Sequence, residues 1–91
     1  MQMLPDLQGR VALVTGAARR TGRVIATKLA AAGASVLVNA MSSRAEAEAL
    51  VADIEREHGA GRAMAHIADV SDPQAVRAMV AACVERLDRK S

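Results

Sequence analysis

The chain has 91 residues, of which 52% are hydrophobic, and its formal net charge at pH 7 is +2. That length permits one small domain, and the apolar content is too high for a disordered chain. The small net charge argues against nucleic acid or an anionic membrane as a partner. No apolar run approaches the roughly 18 residues of a membrane helix, so we expect a cytoplasmic protein.

The first part of the chain alternates a short apolar run with a helical pattern. Residues 11–15 form a brief apolar run that ends at Gly16, which indicates a strand buried on both faces. From about residue 21 to residue 32 apolar side chains recur at helical spacing, and Gly33 then supplies a helix stop. Residues 35–39 are typical of a second buried strand.

The same alternation continues to the end of the chain. Ser43 and Glu46 fit a capping box, which predicts a second helix, and Gly59 and Gly61 end it. Residues 62–67 indicate a weaker third strand.

The last helix begins beside Pro73, which is tolerated in a first turn, and either Ser71 or Asp72 is its N-cap. An apolar stripe at helical spacing follows, formed by Val76, Met79, Val80, Cys83, Val84 and Leu87.

The order of these elements is β-α-β-α-β-α with short connections. Right-handed crossovers make such a chain a three-stranded parallel sheet in the order 3-2-1. We therefore predict an α/β protein that forms one mononucleotide-binding half of a doubly wound, Rossmann-type fold.

The loop between the first strand and the first helix contains candidate phosphate-binding residues. A glycine at the end of the strand lets the chain turn sharply and lets backbone amides approach a pyrophosphate, towards which the helix points its positive end. Structural use of Gly16 in an ordinary turn is the alternative, but the position after the first strand favours a phosphate site. The candidate binding residues of this loop are Gly16, Ala18, Arg19, Arg20, Thr21 and Gly22.

Residues 14–19 resemble the Thr-Gly-x-x-x-Gly-x-Gly loop of the short-chain dehydrogenases/reductases, and residues 33–36 and 68–73 resemble that family's next landmarks. The resemblance covers roughly residues 7 to 87. It implies that the loop holds the pyrophosphate and the adenosine ribose of a nicotinamide dinucleotide. It also implies that Asp69 and Val70 contact the adenine.

One residue departs from the family pattern, because Arg20 stands where the family has its middle glycine. The backbone there must be one that an L-residue can adopt. Pteridine-reductase-like members, which use NADPH, have a similar Gly-x-x-x-Arg-x-Gly loop. A solvated surface arginine is the alternative.

The end of the second strand favours NADP(H) over NAD(H). NAD-specific domains usually have a carboxylate there for the ribose 2′-hydroxyl, whereas residues 39–44 of this chain contain none. Positive charge and hydroxyl donors are present instead, on Arg19, Ser42, Ser43 and Arg44. The alternative is that neither residue binds a ligand: Ser43 then caps a helix, and Arg44 is an exposed side chain.

No catalytic or metal-binding residue is predicted. The family's proton donor belongs to a Tyr-x-x-x-Lys motif, and this chain has no tyrosine. Cys83 is the only cysteine, and His58 and His66 have no second ligand at metal spacing.

Residues 1–91 are therefore expected to be the N-terminal, catalytically incomplete part of an oxidoreductase, shortened by truncation or a shifted reading frame. A stand-alone nucleotide-binding or interaction module that pairs with another chain is the second hypothesis. An unrelated α/β protein with a different phosphate ligand is the third. The first strand has a partner on one side only, so self-association through that edge is expected.

Overall fold

The structure, a computed structural model, describes residues 9–16 and 20–87, with Arg20 described by its backbone alone. Three strands alternate with three helices in these ranges, which confirms the predicted element order. The elements are β1 (Val11–Thr15), α1 (Arg20–Ala31), β2 (Ser35–Ala40), α2 (Arg44–His58), β3 (Ala63–Ile67) and α3 (Pro73–Arg86). None of these helices, within the described ranges, has the length and apolar character needed to cross a membrane.

The three strands form one parallel sheet in the order β1-β2-β3, as predicted. β2 lies in the centre, and its last five residues are buried. The register pairs Thr15 of β1 with Asn39 of β2, and Asn39 with His66 of β3. The three strands therefore end together, and the loops that follow them leave from one edge of the sheet.

The sheet separates two apolar clusters, and alternate side chains of β2 belong to different clusters. One cluster lies under α1 and α2 and contains Val36, Val38, Ala26, Ala30, Ala47, Leu50 and Ile54. The other lies under α3 and contains Leu37, Ala68, Met79 and Cys83. This two-sided burial is the reason why β2 is almost continuously apolar in sequence.

Alanine dominates the core of the described residues. Seven of the fifteen buried apolar residues are alanine, including Ala26 and Ala30 on the inner face of α1. Such small side chains let a helix backbone approach the sheet closely. Each alanine buries little apolar area, however. Its burial therefore stabilises the fold by only about 0.8 kcal/mol, compared with roughly 1.5–3 kcal/mol for leucine or isoleucine.

The helix N-termini are capped differently from one another. Ser43 is the N-cap of α2, but its side chain makes no capping hydrogen bond, so the part of the predicted capping box that the Ser43 hydroxyl supplies is wrong. Its backbone, at φ −89° and ψ 66°, lies outside the extended region that N-cap residues usually adopt. Asp72 is the N-cap of α3 and accepts a 3.0 Å hydrogen bond from the backbone amide of Gln74.

The apolar stripe of α3 is only partly buried. Met79 and Cys83 are buried against the sheet, whereas 45% of Val80 and 55% of Val84 is exposed. The helix rests on the sheet along the row that contains Met79 and Cys83, so the residues that follow each of them turn away. The stripe therefore includes two valines that leave apolar surface exposed on α3.

Arg62 ties the opposite, amino-terminal edge of the sheet to two helix ends. One guanidinium nitrogen donates to the carbonyl oxygens of Ala30 at 3.0 Å and Ala34 at 2.5 Å. The other donates to the carbonyl of His58, at the end of α2. One side chain therefore joins the end of α1, the segment before β2 and the end of α2.

Candidate functional site

The predicted site residues that the structure describes gather at the carboxyl edge of the sheet, around the ends of the three strands. Gly16 follows β1, Ser42 and Ser43 follow β2, and Asp69 and Val70 follow β3. Thr21 and Gly22 lie in the first turn of α1. Ala18, Arg19 and the side chain of Arg20 lie outside the described residues.

Gly16 has a left-handed backbone conformation at the end of β1. Its φ is +62°, in the left-handed region that L-residues rarely adopt. A Cβ atom built on Gly16 meets no other described atom within 4 Å. The positive φ therefore favours glycine at this position.

The amino-terminal end of α1 lies a few residues beyond Gly16. The helix begins at Arg20, and its first turn contains no acidic residue. Thr21 is exposed and Gly22 is half-buried. Because the first amides of a helix have no partner within it and the helix dipole is positive at this end, the arrangement suits an anion.

The loop after β2 is polar and open. Met41 is 66% exposed, Ser42 is exposed and Ser43 is half-buried. The guanidinium of Arg44 lies 3.5 Å from the carboxylate of Glu48, and both side chains are well exposed. Exposed ion pairs of this kind are weak, so Arg44 is held loosely.

The loop after β3 is a tight turn built on Asp69. Its carboxylate oxygen Oδ1 accepts hydrogen bonds from the backbone amide of Ser71 at 2.9 Å and from the Ser71 hydroxyl at 2.7 Å. These bonds, that from the backbone amide first, lower the pKa of Asp69 below its ordinary value of 3.8. The turn leaves Val70 50% exposed, beside the same edge of the sheet.

Asn39 belongs to this edge and was not among the predicted site residues. It is the one buried polar residue of the described chain, with 2% of its surface exposed. Its side-chain nitrogen Nδ2 donates to the carbonyl oxygens of His66 at 3.1 Å and Ala68 at 3.2 Å. An amide near the end of an otherwise apolar buried strand is the sequence signal that points to it.

A family model described as short chain dehydrogenase matches residues 10–89. An uncharacterized oxidoreductase of Methylorubrum extorquens is 45% identical over 86 residues, which are 94% of this chain and 34% of that protein. A chloroplastic NADPH-dependent aldehyde reductase-like protein of Arabidopsis thaliana is 42% identical over 80 residues, which are 80% of this chain and 30% of that protein.

Among solved structures, a short chain dehydrogenase from Burkholderia cenocepacia in complex with NADP is similar to this chain. The two are 46% identical with a TM-score of 0.81, over 88% of this chain and 32% of the other. The chain therefore spans about a third of the length of the proteins that it matches.

The lowered pKa of Asp69 predicts a contribution to stability that depends on pH. Because the pKa is lower in the folded chain, the contribution is complete above the ordinary value of 3.8 and is lost as the pH falls through the folded value. Asp69→Asn keeps an oxygen that accepts from Ser71 but does not titrate. We expect thermal unfolding midpoints of the unaltered chain to fall more steeply below about pH 4 than those of the variant.

Glu85→Gln, which removes an exposed carboxylate on α3, is the matched control and should keep the steeper acid dependence. Parallel curves for the unaltered chain and Asp69→Asn between pH 5 and pH 2 would contradict the assignment.

Proposed function

We propose that this chain, which belongs to the short chain dehydrogenase family, is the NADP(H)-binding N-terminal segment of an oxidoreductase. The observation that carries the proposal is the left-handed backbone of Gly16, between the end of β1 and the start of α1, with no other described atom within 4 Å of its Cβ position. The 46% identity to a short chain dehydrogenase in complex with NADP supports the same ligand. Residues 1–91 then form one dinucleotide-binding unit, the half of a Rossmann domain.

The pyrophosphate is assigned to the turn and to the start of α1. Backbone amides of the residues after Gly16 and at the start of α1 donate to its oxygens, and the helix dipole favours its charge. Thr21, exposed in the first turn, adds a hydroxyl donor. The residues assigned to the pyrophosphate and the adenosine ribose are Gly16, Ala18, Arg19, Arg20, Thr21 and Gly22.

The adenine is assigned to the loop after β3. Val70 offers an exposed apolar side chain, and the hydrogen bonds between Asp69 and Ser71 give this loop a defined shape. A planar, apolar base with polar edges suits a surface that combines an aliphatic side chain with backbone and carboxylate groups.

The preference for NADP(H) over NAD(H) rests on charge. The segment after β2 has no carboxylate to repel a 2′-phosphate, and Ser42 and Ser43 supply hydroxyl groups there. Arg19 supplies positive charge from the neighbouring loop, and the guanidinium group suits phosphate oxygens. The NADP in the Burkholderia cenocepacia complex supports this choice.

The chain is proposed to be catalytically incomplete by itself. Hydride transfer to a carbonyl needs a proton donor beside the substrate oxygen, and the chain has no tyrosine to serve as the family's donor. Its contribution to an oxidoreductase is then to hold and orient the dinucleotide. A cytoplasmic location is part of the same proposal.

The second candidate is a module that pairs with another chain or with itself. In the described part of the chain, β1 pairs with β2 on one side and has no strand on the other. Unpaired backbone groups along such an edge are a template for a further strand. Val80 and Val84, exposed on α3, add apolar surface.

We expect Gly16→Val to weaken dinucleotide binding. A β-branched residue is strained at φ +62°, and its side chain fills the space assigned to the pyrophosphate. Calorimetric titration with NADPH should show binding by the unaltered chain and at least roughly tenfold weaker binding by the variant.

Gly61→Val is the matched control, because Gly61 also has a positive φ and open space but lies near the opposite edge of the sheet. It carries a similar backbone strain and should keep its affinity for NADPH. Equal affinity of the Gly16→Val variant and the unaltered chain would refute the site.

Arg19→Ala tests the preference for the 2′-phosphate. Losing a charged hydrogen-bond donor should weaken NADPH binding roughly tenfold and NADH binding much less. Dissociation constants for both dinucleotides check this, with Arg77→Ala, an exposed arginine on α3, as the control. An equal loss of affinity for NADPH and NADH would show that Arg19 does not bind the 2′-phosphate.

Sedimentation velocity tests pairing through β1. We expect the apparent mass of the isolated chain to rise with concentration, because association covers the open edge. Self-association would be excluded if the chain stays monomeric at all concentrations and its thermal transition is sharp and independent of concentration.

A further inference from the structure

We infer that Asn39 is a positioning residue for the cofactor site. Its carboxamide fixes the backbone at the end of β3, and thereby holds the turn formed by Asp69 and Val70 in the geometry that receives the adenine. This inference rests on the proposed function. Asn39 itself touches backbone within the fold and is not assigned to the ligand.

The contacts of Asn39 use the two N–H donors of its side-chain amide. The Nδ2 group has two N–H donors, and two carbonyl oxygens, those of His66 and Ala68, lie within 3.2 Å of the nitrogen. Both carbonyls belong to the neighbouring strand or its continuation, 27 and 29 residues further along the chain. The side chain therefore joins the central strand to the segment that leads into the adenine loop.

The bond to Ala68 acts where the sheet ladder ends. The amide of Ala68 donates to the carbonyl of Ala40 at 3.0 Å, beyond the last residue of β3. Asn39 binds the carbonyl of the same residue, so both polar groups of the Ala68 backbone are held by β2. The next residue is Asp69, whose carbonyl accepts from the amide of Asp72 at 3.0 Å and closes the turn.

The choice of asparagine is informative because of the side that it faces. Alternate residues of a strand share a face, so Asn39 lies on the same side of the sheet as the fully buried Leu37. A leucine at position 39 would extend the apolar cluster under α3. An amide with 2% exposure is costly to bury unless its donors are used, and here they bind the carbonyls before Asp69.

Asn39→Leu tests this role, because it keeps the approximate size of the side chain and removes both donors. We expect binding of NADPH and of adenosine 2′,5′-bisphosphate, which contains the adenine but no pyrophosphate, to weaken roughly tenfold each. We also expect faster hydrogen exchange at the amides of Ser71 and Asp72 and unchanged exchange in β1. Asn39→Asp, with the same shape but no donor when ionised, should reproduce both effects if the leucine variant does not fold.

Arg62→Met is the matched control, because it also removes side-chain bonds to backbone carbonyls, but at the opposite edge of the sheet. It should lower the thermal midpoint and leave both affinities within about twofold. Equal weakening by the Asn39 and Arg62 variants would show general destabilisation and overturn the inference. Unchanged affinity in both Asn39 variants would overturn it too.

Failure of the proposed function gives a different result. If the unaltered chain binds neither NADPH nor the bisphosphate, the proposed function falls, and hydrogen exchange alone then decides the role of Asn39. If hydrogen exchange becomes faster only at Ser71 and Asp72 in the Asn39 variants, Asn39 holds the turn. Unchanged exchange at these amides would overturn the inference.

Discussion

The parallel, in-register pairing of the three strands is the constraint on which the rest of this structure depends. It aligns Thr15, Asn39 and His66 in one row, so the loops after all three strands leave from the same edge. Segments that are far apart in sequence thereby come together at the candidate site. Neighbouring strands lie only about 4.8 Å apart, so these loops begin close to one another.

The core beside this edge buries little apolar area. Alanines let α1 approach the sheet but contribute little burial, so the polar links at the ends of the sheet carry more weight than in a domain with a larger core. Arg62 links helix ends to the amino-terminal edge. Asn39 links the central strand to the loop after β3 at the carboxyl edge.

Periodicity in the sequence predicted the elements well and their surroundings less well. The order of strands and helices and the order of the sheet are confirmed, because buried parallel strands and amphipathic helices each have a distinct apolar period. Periodicity placed Val80 and Val84 in the apolar stripe of α3 but did not show that they are exposed, because it describes one helix and not what packs against it. The predicted capping hydrogen bond of the Ser43 side chain is absent, because such a bond depends on backbone angles that a sequence motif does not specify.

The sequence by itself determined the family, the strand-turn-helix unit at Gly16 and the lack of a carboxylate after β2, since each is a local pattern of residue types. The roles of the predicted binding residues remain predictions. Only the tertiary structure decided that Asn39 holds the carbonyls of His66 and Ala68. Those contacts join residues nearly thirty positions apart, and a sequence pattern contains no distance across a sheet.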